Sequence, residues 1–129
     1  MKVELIHTSD GSDSLFVPEL DETYHSKHGA LTESQHVFID NGYIAASKRF
    51  ENIRLFEVGF GTGLNAFLTM QKAKSLQCST EYNAIELYPL SKIILRRFNQ
   101  NSEGDFNIEA LLSMHNCSWD QLIQLNPYF

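Results

Sequence analysis

The feature that most constrains this chain is a run of three glycines at alternate positions, residues 57–63 (Glu-Val-Gly-Phe-Gly-Thr-Gly), between an apolar stretch and an apolar-faced segment. Arg54, Leu55, Phe56, Glu57 and Val58 have the pattern of a buried strand, and Leu64, Phe67 and Leu68, with Leu76 near the end, give the next segment one apolar helical face. Glycines at such a junction permit a tight turn with positive φ and let a ligand approach the backbone without meeting a Cβ. The helix that follows offers free N–H groups and the positive end of its dipole to an anionic group. The spacing departs from the dinucleotide fingerprint Gly-x-Gly-x-x-Gly, because Gly63 comes one position early and Leu64 stands in the sixth place. A P-loop is excluded, since no Gly-Lys-Ser/Thr follows.

A second unit repeats the order. Tyr82, Asn83, Ala84 and Ile85 read as a strand ending at Glu86. Pro89 then stands where a first helical position tolerates proline, and Leu90, Ile93, Ile94 and Phe98 supply an apolar stripe. The β-α-β-α order is the beginning of a parallel, doubly wound α/β sheet. Upstream, residues 2–8 and 14–17 are short apolar runs separated by the turn formers of residues 9–13, which predicts a β-hairpin. Residues 36–39 (His-Val-Phe-Ile), followed by Asp-Asn-Gly, suggest another short strand. Beyond residues 99–105, which read as an exposed connection, Ile108, Leu111 and Leu112 mark a short helix. Ser118, Trp119, Asp120 and Gln121 have capping-box spacing and predict another, through Leu125. The division expected is an N-terminal β extension and loop over residues 1–45 and the first half of a Rossmann-like domain over 46–129. Two parallel strands are few for a sheet that buries both faces, so the expectation is a fragment, or a sheet completed by another copy at its exposed edge.

Composition narrows the class. The 129 residues suit one domain, and 43% hydrophobic with 20% charged residues is the balance of a globular protein. No apolar run nears the roughly 18 residues of a membrane span, and the start lacks the pattern of a secretory signal, so a cytoplasmic location is expected. Cys78 and Cys117, two thiols with no Cys-x-x-Cys, make neither a zinc framework nor a disulfide scaffold and read as buried or incidental thiols. His25, His28, His36 and Glu33 fit no standard metal spacing, and no metal site is expected. A net charge of −6 argues against non-specific grip on phosphate backbones.

Glycine at 59, 61 and 63 with Glu57 two positions upstream resembles motif I of class I S-adenosylmethionine-dependent methyltransferases. Such a cofactor has no pyrophosphate to clamp, and Glu57 can face its cationic methionyl end. Glu86, 23 residues after Gly63, stands where a carboxylate can accept both ribose hydroxyls. That feature fits NAD equally, so an NAD-dependent oxidoreductase remains an alternative, as does a non-catalytic adenosine-binding or interaction module.

Residues 24–39 (Tyr-His-Ser-Lys-His-Gly-Ala-Leu-Thr-Glu-Ser-Gln-His-Val-Phe-Ile) resemble the N-terminal signature of the MnmC/MnmD-type tRNA methyltransferases. Residues 56–65, residues 82–90 and Trp119 with residues 126–129 are similar to the same family, in the same order. The resemblance implies part of a class I methyltransferase domain whose family methylates the aminomethyl group of a modified wobble uridine in tRNA, with weak or no turnover expected of this chain alone, and a parent system with a fused or separate FAD-dependent oxidase. It implies a cofactor site of Glu57, Gly59, Phe60, Gly61, Thr62, Gly63 and Asn65, with Glu86 at the ribose and Leu87 at the adenine edge. Tyr24, Ser26 and Glu33 would shape its mouth. The family's catalytic Asp lies in an Asp-x-Phe-x-Pro motif that this sequence lacks: Asp105-Phe106 continues Asn-Ile-Glu. No catalytic residue is assigned, and the expected truncation falls before the third parallel strand. Asn126, Pro127 and Tyr128, despite some likeness to an amino-methyltransferase motif, read as a turn. Phe56, Phe67, Phe98 and Trp119 are expected in the core, whereas Phe60 is expected to cover the ligand.

Overall fold

A computed structural model describes residues 1–98 and 107–129. The expected exposed connection at residues 99–105, and Asp105-Phe106, lie outside the described residues. The chain opens with the expected hairpin: β1 (Glu4–His7) and β2 (Asp13–Val17) pair antiparallel, and β2 also pairs with a two-residue β3 (Glu22–Thr23). β4 (Asn52–Val58) and β5 (Ser79–Ile85) form a separate parallel pair joined by α3 (Leu64–Leu76), the expected crossover. Between the sheets run α1 (Ala30–Glu33), a π-helical segment (Ser34–Tyr43) and α2 (Ile44–Ser47). α4 (Lys92–Arg97) and α5 (Ile108–Asn116) follow β5.

Residues 36–39, expected as a strand, are helical, and the Asp40-Asn41-Gly42 turn lies inside the same segment. The β-branched pair suggested extension, yet tertiary packing decides, because helix and strand propensities differ by only about 1 kcal/mol or less per residue. Ser34, Ile39 and Tyr43 are the buried positions, spaced five and four apart. The side-chain links have the same wide step: Gln35 donates to Asp40 at 2.8 Å and Asn41 donates to the His36 carbonyl at 2.6 Å. Tyr43 is buried with its hydroxyl 2.7 Å from Thr80 Oγ1, which ties this segment to β5.

Leu64, Phe67 and Leu68 of α3 are buried as expected, and burying a side chain of the size of Phe67 is worth about 1.5–3 kcal/mol. Leu76 is exposed, because the helix ends beside it at Gln77 in a left-handed conformation. Pro89 lies outside α4, which starts two residues after Leu90 with Ser91 as N-cap, its hydroxyl accepting from Ile94 N–H at 3.4 Å. A hydroxyl acceptor makes Ser the better cap. Ile93 of the expected stripe is exposed, whereas Leu95 and Phe98 are buried.

No helix forms over residues 118–125. Asp120 takes φ 63°, and residues 125–129 close instead into a turn in which Phe129 O accepts from the N–H groups of Leu125 and Asn126. Thr80 N–H of β5 donates to Tyr128 O at 2.8 Å, and the Phe129 ring packs 5.6 Å from that of Tyr82. Strand-edge bonding and aromatic packing thus replace the helix that the capping box suggested. The expected core also needs correction at Phe56, 65% exposed, and Trp119, 55% exposed. Phe56, Val58 and Ile85 stand on the sheet face away from Ile53 and Glu57, and among the described residues no element covers them.

One carboxylate joins the N-terminal hairpin to the helical segment. Asp10 accepts from Thr8 Oγ1, from N–H and Oγ of Ser12, and from N–H and Oγ1 of Thr32, all within 3.0 Å. Partial burial opposes its ionisation, but the bonds from Ser12 and Thr32 together prevail and hold its pKa well below the ordinary 3.8. A depressed carboxylate pKa gives stability that is complete above the unfolded value and is lost as pH falls below it. Asp10→Ala is expected to cost about 1–2 kcal/mol at pH 7, as loss of a helix cap does, with the difference from wild type shrinking below about pH 4 in urea titrations.

Candidate functional site

β4 and β5 are parallel and in register from Asn52↔Ser79 to Val58↔Ile85, so both release the chain at the same end of the sheet. Two further bonds extend the pairing into the glycine turn: the N–H groups of Gly59 and Phe60 both donate to Ile85 O, at 2.9 and 3.2 Å. Gly61 N–H then donates to Glu86 Oε2 at 2.8 Å, while Tyr88 N–H donates to Oε1 of the same carboxylate at 2.8 Å. Glu86 therefore pins the turn after β4 to the loop after β5. Gly63 N–H returns to Phe60 O at 2.9 Å, and Gly63 becomes the N-cap of α3.

The conformation requires these glycines. Gly61 has φ 55°, and a Cβ there would lie 3.1 Å from the Tyr24 ring. Gly63 has φ 79°, and a Cβ there would lie 2.9 Å from Phe60 Cζ. At Gly59 the same construction meets nothing within 4 Å, so the backbone lies open to an approaching group.

Beneath the turn, Glu57 is buried. Asn65 Nδ2 donates to Oε1 at 2.9 Å, and Tyr82 OH donates to Oε2 at 2.8 Å. Burial raises the Glu57 pKa, the bonds from Asn65 and Tyr82 partly oppose that, and the Glu86 charge adds to the rise. Tyr82 is driven far above its ordinary value by burial and by the Glu57 carboxylate, so it stays a donor. Asn65 Oδ1 is buried without a hydrogen-bond partner among the described residues.

A cleft of about 270 Å³ opens beside these groups, between the glycine turn and the segment from Tyr24 to Phe38. Of the residues expected at the site, Tyr24, Glu33, Glu57, Gly59, Phe60, Gly61, Thr62 and Asn65 line it. Gly63 lies behind it as the helix cap. Ser26 acts on Glu33 rather than on the cleft: its N–H donates to Glu33 Oε2 at 2.6 Å, and its hydroxyl accepts from His28 N–H. Glu86 borders a second, larger groove along β5, and Leu87, 78% exposed, lines neither. The sequence reading missed His25, Val37 and Phe38 in the cleft wall, and His115 of α5, whose Nε2 lies 2.9 Å from Thr62 O. His25 is shifted toward its neutral form by burial, against the Glu33 charge. No motif marks His115, because its partner lies 53 residues away.

The set of acceptors could hold a ligand with an ammonium or other cationic end and a hydroxyl-bearing end. Glu57 and the unpartnered Asn65 Oδ1 are acceptors for the first, and Glu86 retains acceptor capacity beyond its two backbone donors for the second. Among the described residues no group of three His, Cys, Asp or Glu could hold a metal ion, and no helix is long and apolar enough to cross a membrane.

Because ionised Glu57 is disfavoured by burial, its raised pKa makes stability fall as pH rises through the window above 4.5. Glu57→Gln is expected to leave the protein as stable as wild type or more so at pH 7, and to flatten its stability between pH 4.5 and 7 in denaturant titrations. Gly61→Ala should cost about 1–2 kcal/mol from the left-handed strain alone, read as a lowered midpoint at unchanged slope.

No family model matches the chain. It is 32% identical over 93 residues to the tRNA 5-methylaminomethyl-2-thiouridine biosynthesis bifunctional protein MnmC of Cupriavidus necator, covering 69% of this chain and 14% of that protein. The protein of the same name from Burkholderia multivorans is 28% identical over 123 residues, covering 92% of this chain and 18% of its own length. Among solved structures, MnmC2 from Aquifex aeolicus superimposes with a TM-score of 0.64 at 25% identity, covering 81% of this chain and 39% of that one. The chain thus spans less than a fifth of these curated relatives. Its homology to the MnmC family is distant and partial in coverage, and its α/β fold, with one antiparallel and one parallel sheet, resembles MnmC2.

Proposed function

We propose that the chain is the cofactor-binding portion of an S-adenosylmethionine-dependent N-methyltransferase acting on the aminomethyl group of a modified wobble uridine in tRNA. The observation that carries this reading is the pair of carboxylates at the ends of adjacent parallel strands, Glu57 and Glu86, bracketing a turn whose backbone is open at Gly59. Glu57 with Asn65 would receive the cationic methionyl end, Gly59, Gly61 and Thr62 would lie against it, and Glu86 would receive the ribose hydroxyls. Tyr24, Phe60 and Glu33, steadied by Ser26, would form the mouth, with Gly63 fixing the helix start and Leu87 reaching the adenine edge. The bound cofactor supplies the electrophilic methyl group.

The acceptor amine must arrive deprotonated, since an alkyl ammonium with a pKa of about 10 has no lone pair to offer. No acid of this chain is assigned to that step. The similarity to bifunctional MnmC proteins extends the proposal to tRNA as the substrate and to an FAD-dependent oxidase as the partner activity. One observation favours a second reading, a binding or interaction module without turnover: Phe56, Val58 and Ile85 remain exposed on the sheet, and β4 has one paired neighbour among the described residues.

S-Adenosylhomocysteine at about 100 times its dissociation constant is expected to stabilise the chain by roughly 2.7 kcal/mol, a rise of several degrees in Tm, whereas NAD leaves it unmoved. The reverse pattern would point to the oxidoreductase. Glu86→Ala should weaken S-adenosylhomocysteine about 10- to 100-fold by calorimetry, the loss of charge-assisted hydrogen bonds. Methyl transfer to undermodified tRNA separates enzyme from module.

A further inference from the structure

We propose that His115, in the wall of the groove that Glu86 borders, is a positioning residue for this site, fixing the glycine turn so that the affinity for an adenosyl ligand depends on its side-chain N–H donor. The inference rests on the functional reading above and adds to it a control element drawn from α5.

The need for such a group arises at Thr62. Gly63 is the helix N-cap, and its carbonyl accepts the first bond of α3, from Phe67 N–H at 2.9 Å. The Thr62 carbonyl stands one residue earlier, outside the helical ladder, in a residue only 1% exposed. A buried carbonyl without a donor is costly. His115 Nε2 lies 2.9 Å from that oxygen. A carbonyl can only accept, so Nε2 carries the proton and donates.

The ring does more than satisfy one acceptor. It packs against Phe60 with centroids 5.0 Å apart at 64°, and its Nε2 lies 3.2 Å from where a Cβ of Gly63 would stand. His115 therefore meets the turn at three places: against the Phe60 ring, at the Thr62 carbonyl and beside the open Cα of Gly63. Phe60 and Thr62 in turn line the cleft. A displaced His115 frees the outer wall of the turn, while Glu86 still holds Gly61 from the β5 side.

Burial lowers the His115 pKa, while the Thr62 carbonyl and the Glu86 charge pull it back up, and burial prevails. Glu86 is the one charged side chain acting on it among the described residues. Of the cations on the packed helices, Lys74 of α3 and Lys92, Arg96 and Arg97 of α4 are exposed, and Lys72 of α3 is half-exposed. At pH 7 the ring is neutral. Below about pH 6.5 protonation at Nδ1 would place a charge in this part-buried position while Nε2 still donates to Thr62, so it is the cost of burying that charge that loosens the turn as pH falls.

Amide exchange by NMR on the ligand-free chain, with His115→Leu and His115→Gln, tests the positioning directly. The glutamine variant keeps an N–H donor and has no titration. Exchange at Gly61, Thr62 and Gly63 should rise tenfold or more in His115→Leu, stay within about threefold in His115→Gln, and leave the amides of β1 and β2 unchanged in both. S-Adenosylhomocysteine affinity should fall about tenfold in His115→Leu and be retained in His115→Gln. Between pH 7 and pH 5.5 the wild type should lose affinity more steeply than His115→Gln, which shares Glu57 and Glu86, so the difference isolates the histidine. Turn exchange in His115→Leu equal to wild type overturns the inference. Should that variant fail to fold, identical pH profiles of turn exchange for wild type and His115→Gln overturn it, and a steeper wild-type profile supports it. A wild type that binds no S-adenosylhomocysteine overturns the functional reading instead, with the exchange comparison still deciding whether His115 sets the turn.

Discussion

The carbonyl of Ile85 accepts two consecutive backbone donors, Gly59 and Phe60, and the geometry of the cleft depends on that junction. It prolongs the β4–β5 ladder past the ends of the strands and aims the chain back toward α3 rather than out into solvent. Only after that reversal can Gly61 reach the Glu86 carboxylate and Gly63 cap the helix. Since the two strands are parallel and in register, both acidic side chains emerge at one end of the sheet, the end at which open α/β sheets generally take their ligands.

The two carboxylates have unlike surroundings. Glu86 is partly exposed, and its two oxygens accept from the backbone amides of Gly61 and Tyr88, which organises the loop. Glu57 is buried, and its two side-chain donors do not fully offset the loss of water. A buried acid of this kind is poor material for stability, since an apolar group of similar volume often does as well or better. Under the proposed function this acid, with the Asn65 amide oxygen that has no partner among the described residues, would serve the cationic end of the cofactor.

The parts of the fold legible in sequence were those governed by local chemistry. The hairpin at residues 2–17 and the strand–turn–helix at 54–76 follow from periodicity and from glycines that only one backbone conformation explains. What escaped was set by distant partners. Val37 and Phe38 suggested a strand because nothing local shows that Ile39 and Tyr43 will find α3 and β5. Trp119 suggested core, and Ser118 a helix start, because the competing use of residues 125–129 as an edge for β5 depends on Thr80 and Tyr82, more than 40 residues earlier. The cleft was legible on its glycine side. His115 and Asp10 were not, since each acts through backbone groups of another element.

The wide-stepped helical segment has an unusual sensitivity to chain length. In an ordinary α-helix each residue advances the side-chain direction by about 100°. Ile39 and Tyr43, four apart, would share a side in that winding too, but Ser34 and Ile39, five apart, share a buried side only because the segment is wound more loosely. Deleting one residue there would relieve the winding but swing one anchor relative to the other by about a quarter of a circle. The register between the Tyr24–Phe38 wall and the sheet is thus encoded in how many residues the segment contains, and substitutions within it should be far better tolerated than single-codon losses.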